Sequence, residues 1–201
     1  QQGYKCFDCA TMYPSNKNIG KVLKNMSQKK RENLFIISKL DAHELRVPRN
    51  FDWQNYNMID MFVDKILKDL NTDYLDLLLI HWPLCTYKGI SEEFVIEEIW
   101  PYMEDIVKRQ KTRYIGVSNF GLIDMHKLLN ICTIRPFVNE LEHNPYQTNR
   151  NIIDFCQNND IYIIASSPFA GHMCQSLFRE DILITLAKKY NTSVPGIILR
   201  W

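Results

Sequence analysis

The sequence predicts an α/β protein built on a parallel sheet, and two observations carry that prediction. The first is the stretch Asp73–Pro83, DYLDLLLIHWP, in which Tyr74–Ile80 is apolar except at Asp76. A run of this length suits a strand, and near-continuous apolarity suits a parallel strand covered on both faces. Pro83 cannot donate to a ladder, so His81 falls at the carboxyl end of a buried strand. The second observation is that six such runs alternate with helical patterns along the chain, the signature of right-handed βα crossovers. Six units leave two architectures open, a doubly wound open sheet and a (β/α)8 barrel lacking two units. No G-x-G-x-x-G follows the first strand, which weakens the dinucleotide-binding open sheet.

The elements follow in order. Tyr4–Cys9 reads as a short strand and leads into a helix that begins at Ser15, with Ile19, Val22, Leu23 and Met26 as its apolar stripe. Asn33–Leu40 is the second strand. A polar loop with Pro48 precedes a helix over Tyr56–Leu70, on which Ile59, Met61, Phe62, Ile66, Leu67 and Leu70 recur at helical spacing. The DYLDLLLIHWP strand follows. Ser91 caps the next helix, with Glu92 and Glu93 in its first turn; this helix runs to about Gln110, with Pro101 as a kink or break. Arg113–Val117 is a strand and Leu122–Leu129 a helix. Pro136–Leu141 is a strand and Gln147–Gln157 a helix. Ile161–Ala165 is the last strand, followed by helices over Asp181–Tyr190 and from Thr192 or Ser193 onward.

Composition is that of a globular protein, with 46% hydrophobic and 23% charged residues. Lys plus Arg is 24 and Asp plus Glu is 23, so the net charge of +1 offers no electrostatic case for nucleic acid. No apolar stretch approaches the ~20 residues of a membrane helix, and the first residues do not resemble a signal peptide. The expectation is a soluble, cytoplasmic protein acting as a monomer. Cys6 and Cys9 form a C-x-x-C, but residues three apart on a strand point to opposite faces, so buried free thiols are expected and no metal site.

The residues at the strand exits carry the chemistry. They are Asp8 with Tyr13 five residues on, then Lys39, His81, Ser118-Asn119, Glu140 and Ser166-Ser167. Lys39 shares strand parity with Phe35 and Ile37, His81 with Leu77 and Leu79, and Asn119 with Ile115 and Val117, as expected if all point into a shared interior. Asp8, Tyr13, Lys39 and His81 together suit protonation of a carbonyl oxygen. A phenol is a weak acid, with a reference pKa of about 10, and a neighbouring ammonium favours the phenolate. A carboxylate beside that ammonium keeps it charged, because an unpaired buried ammonium tends to lose its proton. Histidine then orients the substrate oxygen and tyrosine gives the proton. No side chain can deliver the hydride that completes such a reduction, so the site calls for a nicotinamide cofactor.

The segments FDCATMY, FIISKL, DYLDLLLIHWP, YMEDIVKRQKTRYIGVSNF, FVNELEHNPY and DILITLAKKYNTSVPGIILRW resemble the aldo-keto reductases in order and spacing, over essentially the whole chain. The resemblance implies a (β/α)8 TIM barrel, incomplete here at about six βα units, that binds NADPH (less often NADH) and reduces a small-molecule aldehyde or ketone. It implies that Asp8, Tyr13, Lys39 and His81 are the catalytic tetrad. It assigns Ser118 and Asn119 to the nicotinamide carboxamide, Glu140 and Ser166 to further cofactor positions, Ser167 to a pyrophosphate contact, and Trp82 to a wall of the substrate pocket.

Four positions depart from the family pattern. Glu140 stands where a Gln is usual, and a carboxylate cannot donate as an amide does. Ser166 stands in place of an aromatic residue that stacks on the nicotinamide, a loss on the order of 1 kcal/mol in binding. Asp41 replaces a common pocket Trp, and Asn144 a common His. The chain also begins at the family's second strand and stops before its eighth, so residues 1–201 are expected to be one truncated barrel domain, a fragment of a longer reductase. The alternative is a non-catalytic member of the same fold that serves as a binding or redox-sensing subunit.

Overall fold

The computed structural model describes residues 3–11, 13–41, 57–83 and 95–201. They fall into two compact units, Gln1–Val138 and Asn139–Trp201.

The first unit carries four parallel strands in chain order: β1 (Cys6–Asp8), β2 (Phe35–Leu40), β3 (Leu75–Ile80) and β4 (Thr112–Ser118). Every residue of β3 is buried, as its apolar run requires for a strand covered on both faces. The ladder runs past the strand ends toward the site, because His81 N donates to Leu40 O (3.0 Å), Cys9 N to Ile37 O (3.0 Å) and Thr11 N to Lys39 O (3.4 Å).

The helices hold this sheet by specific contacts. α1 (Asn16–Leu23) packs on α3 (Asn57–Leu70) at Gly20, where a Cβ would lie 2.0 Å from Asp69 O. The expected stripe on α1 is displaced by this close approach: Asn16, Gly20 and Leu23 are buried while Val22 is exposed. On α3 the buried positions are Ile59, Val63, Ile66 and Leu70, and the expected Met61 faces solvent. Between α1 and β2 lies α2 (Gln28–Glu32), which has no apolar residue. Its buried residue is Arg31, whose guanidinium reaches Asp76 in β3 at 2.8 Å. Asp76 also accepts from Ile36 N (2.9 Å) and Arg113 Nη1 (3.0 Å), and the Arg31 and Arg113 guanidinium groups lie over the Tyr74 ring at 4.2 and 4.6 Å. The one polar residue in the apolar run is therefore fully paired.

A π-helical turn over Val95–Ile99 leads into α4 (Trp100–Lys108), so Pro101 sits in the first turn of a new helix, where its missing N–H costs nothing. The expected cap at Ser91 with Glu92 and Glu93, and the loop with Pro48, lie outside the described residues. On α4 the buried Glu104 carboxylate accepts from Thr133 N (2.6 Å), Ile134 N (2.8 Å) and Trp100 Nε1 (3.1 Å) through one oxygen, Oε1. This fixes the exit of α5 (Leu122–Ile131).

The second unit contains β5 (Val138–Glu142), α6 (Arg150–Asn158), β6 (Tyr162–Ser166), α7 (Cys174–Leu177), α8 (Asp181–Lys189) and α9 (Val194–Arg200). β5 and β6 are hydrogen-bonded neighbours. Ser193 caps α9 by accepting from Gly196 N at 3.1 Å. The stretch after β6 forms a 3-10 turn over Gly171–Met173 and then α7. Leu177 and Ala170 are buried with Leu183 and Ile198, and Phe169 packs edge-on against Phe178 beside them.

Candidate active site

The carboxyl ends of β1, β2 and β3 bring together the titratable residues singled out in the sequence. Lys39 is the penultimate residue of β2, and its side chain is 1% exposed. Sequence explains this burial: β2 is apolar apart from Ser38 and Lys39, and Ile37, Leu40 and the facing Leu79 are themselves buried. The ammonium is matched by Asp8, whose Oδ1 accepts from Lys39 Nζ at 2.5 Å. A buried charge is tolerated when it is paired in this way. Tyr13 follows β1 after a short exit turn closed by Tyr13 N donating to Ala10 O (3.0 Å), and its ring lies 5.8 Å from Lys39 Nζ. Asp8 and Tyr13 are the open side of the group, at 41% for the Asp8 side chain and 39% for Tyr13. A solvent-facing phenol beside a buried ammonium can hand a proton to a group arriving from outside.

His81 leaves β3 one residue beyond its end, and its Nδ1 lies 3.2 Å from Oδ2 of Asp41, the residue that ends the β2 run. Asp41 is 1% exposed. The next residue, Trp82, is half exposed, with its ring 6.0 Å from the imidazole. Asn119 has a left-handed backbone (φ 62°), so its direction is set by that turn and not by the alternation of β4. Its Nδ2 donates to His81 O (2.9 Å) and to Ser118 Oγ (3.0 Å), tying the ends of β3 and β4 together.

The second unit holds the remaining sequence-derived positions. Glu140 is buried in β5, Ser166 ends β6, and Ser167 follows it with φ 45°. Asn144, for which sequence offered no role, organises the turn after β5. It is buried, its Oδ1 accepts from Tyr146 N (3.0 Å) and Gln147 N (3.1 Å), and its Nδ2 donates to Ser167 O (3.2 Å) and Glu142 Oε1 (3.1 Å). An Asn before Pro-Tyr is a turn signal that could have exposed this role. Cys6 and Cys9 are both free thiols; Cys9 is buried as expected, but Cys6 is exposed, because it lies on the opposite face of the strand. Burial, followed by the Asp8 charge, pushes the Cys9 thiol up to about 11.

Comparison with known proteins decides the family. The family model for the Aldo/keto reductase family matches residues 1–201. The chain belongs to the aldo/keto reductase family. Among curated proteins it is similar to an NAD(P)H-dependent 6'-deoxychalcone synthase of Glycine max, at 33% identity over all of this chain and 66% of the relative. It is also similar to a glyoxal reductase of Bacillus subtilis, at 34% over all of this chain and 65% of the relative. The chain thus spans just under two thirds of the length of these relatives. Its fold matches the crystal structure of an aldo-keto reductase from a Medee basin deep-sea metagenome library, with a TM-score of 0.83, 27% identity, and 99% of this chain and 67% of the other covered. A silkworm aldo-keto reductase solved with NADPH matches at a TM-score of 0.82 and 28% identity, over 98% of this chain and 61% of that one. The fold is therefore the (β/α)8 barrel of the aldo-keto reductases, represented by six βα units.

Proposed function

We propose that this aldo-keto reductase chain is the catalytic part of an enzyme that reduces an aldehyde or ketone to the alcohol with NADPH, or with NADH. The observation that carries the reading is the buried Lys39–Asp8 ion pair with Tyr13 beside it and His81 on the adjoining strand end. In this reading Tyr13 is the general acid, passing its hydroxyl proton to the carbonyl oxygen. Lys39 favours the phenolate left behind, Asp8 keeps Lys39 charged, and His81 orients the oxygen. Trp82 walls the substrate pocket. The half-exposed rings of Tyr13 and Trp82 suit a small carbonyl compound arriving from solvent.

The residues at the end of β4 fit a nicotinamide carboxamide. Asn119 spends Nδ2 on His81 O and Ser118 Oγ, and its Oδ1 makes neither bond. Ser118 Oγ accepts from Asn119, so its own proton is directed elsewhere. A hydroxyl donor and an amide acceptor side by side complement the acceptor and donor of a carboxamide. NAD(P)H, when bound, supplies the hydride that reduces the carbonyl carbon. Ser167, Glu140 and Ser166 keep the cofactor roles that the family resemblance gives them, each testable by substitution. We take residues 1–201 as one barrel domain of a cytoplasmic, monomeric reductase. Among the described residues, no helix is long and apolar enough to cross a membrane.

The test is aldehyde-dependent oxidation of NADPH, followed by absorbance with a general aromatic aldehyde. Turnover that is abolished by Tyr13→Phe while cofactor binding persists supports the enzyme. Cofactor binding without turnover in the unmodified protein would favour a redox-sensing subunit.

A further inference from the structure

The aldo-keto reductase tetrad accounts for His81 but not for the buried carboxylate behind it. We propose that Asp41 is a positioning residue that fixes the imidazole proton on Nδ1 of His81, so that Nε2 can donate to a substrate oxygen only when the ring is protonated. The proposal rests on the reductase reading above and adds to it the protonation state in which His81 acts.

The geometry is direct. Asp41 Oδ2 lies 3.2 Å from His81 Nδ1, with Asp41 buried and the His81 side chain 12% exposed. An ionised carboxylate has acceptors and no donor. Nδ1 must then carry the hydrogen, and in a neutral imidazole this leaves Nε2 with a lone pair. A lone pair on Nε2 repels a carbonyl oxygen and accepts from an alcohol hydroxyl. The protonated ring donates from both nitrogens, with Asp41 beside the new charge. The Asp41–His81 pair therefore links the direction of hydrogen bonding at the substrate to pH: carbonyl reduction uses the imidazolium, and alcohol oxidation uses the neutral ring.

The groups around His81 limit what else could titrate there. Among the described residues of β2 and its exit, the charged groups at this end of the sheet are Lys39 and Asp41. β1 and its exit contribute Asp8 and Tyr13. β4 contributes Ser118 and Asn119, which do not titrate, and Trp82 adjoins on the His81 segment itself. Lys39 is engaged by Asp8, and Asn119 binds the backbone carbonyl of His81, leaving the ring alone. Among the described residues, the carboxylate in contact with the ring is thus that of Asp41.

Two measurements test this. The first is the side-chain nitrogen spectrum of the 15N-histidine-labelled protein with the ring neutral, with resonances assigned by His81→Gln. The expected result is a protonated Nδ1 and a bare Nε2. A bare Nδ1 with the proton on Nε2 overturns the proposal, and this arm needs neither a folded Asp41 variant nor any turnover. The second is the pH dependence of aldehyde reduction in the unmodified protein and in Asp41→Asn, whose amide can donate to Nδ1 and so move the ring proton to Nε2. The unmodified protein should lose kcat/KM by about tenfold per pH unit where the neutral ring dominates, the slope of one essential proton. The Asp41→Asn profile should be flat over that range. Coincident profiles overturn the proposed control of the chemistry. If neither protein reduces any carbonyl, the reductase reading fails, while the nitrogen spectrum still decides the Asp41–His81 pair.

Discussion

Asp8 stands opposite Ile37 in the β1–β2 ladder, yet its Oδ1 accepts from Lys39 Nζ, two residues further along β2, at 2.5 Å. The pair runs diagonally between strands, a separation that a long side chain can span. It draws the ammonium toward β1, the strand whose exit carries Tyr13. If the phenol depends on that ammonium, Lys39→Met should lower kcat by about 10²–10⁴, the typical worth of a positioned general acid. Asp8→Asn should lower it less, because the lysine remains. The check is steady-state kinetics with NADPH, together with a thermal unfolding curve to confirm that each variant folds.

Substitutions toward the family residues should improve cofactor binding. Glu140→Gln restores an amide donor, and Ser166→Tyr restores a ring that can stack on the nicotinamide. Either change should tighten NADPH binding, read by cofactor fluorescence, and the stacking ring should contribute on the order of 1 kcal/mol. No change for either variant would mean that NADPH is held differently from the family pattern.

Asp76 should be the most costly polar residue to remove from the sheet. Asp76→Ala leaves Arg31, which is itself buried, without its carboxylate, and leaves Ile36 N without an acceptor. Breaking a buried pair in this way costs about 3–5 kcal/mol. Chemical denaturation should show the midpoint falling with an unchanged slope.

Cys9 should make stability fall at alkaline pH. Its thiol is raised from 9.0 to about 11 by burial first and the Asp8 charge second. A raised pKa means that the folded state holds the proton more tightly. The contribution is therefore fully present below about pH 9 and is lost as pH rises through about 11. Cys9→Ser should flatten this alkaline decline in unfolding curves measured across that window. A disulfide-exchange reagent near neutrality should modify exposed Cys6 well before Cys9.

Much of the fold was legible because strand signals are local. The runs at Phe35–Leu40 and Leu75–Ile80 are apolar on both faces, and the structure buries both. The polar exits Lys39 and His81 stood out against those runs, and the structure places them at the carboxyl ends of β2 and β3. Helix faces were read less well. On α3 the helical spacing picked out Met61 and passed over Val63, yet Val63 is buried and Met61 faces solvent. α2 was missed because QKKRE carries no apolar periodicity; it is held instead by Arg31 reaching across 45 residues of chain to Asp76. The Asp41–His81 contact was equally out of reach, since 40 residues separate the two and strand parity says nothing about residues beyond the ladder. The turn contacts of Asn144 are local, to Tyr146 N and Gln147 N, but its bond to Ser167 O reaches 23 residues along the chain, which no local pattern displays.

The Glu104 oxygen that gathers Thr133 N, Ile134 N and the Trp100 indole has a consequence for how this protein can change in length. Connections between a helix and the next strand are ordinarily where families gain and lose residues. Here both consecutive amides of the connection are spoken for by a side chain buried on another helix. One added residue at Thr133 or Ile134 would strand a carboxylate in the interior, so inserted tags, permuted ends and domain grafts should be refused at this crossing.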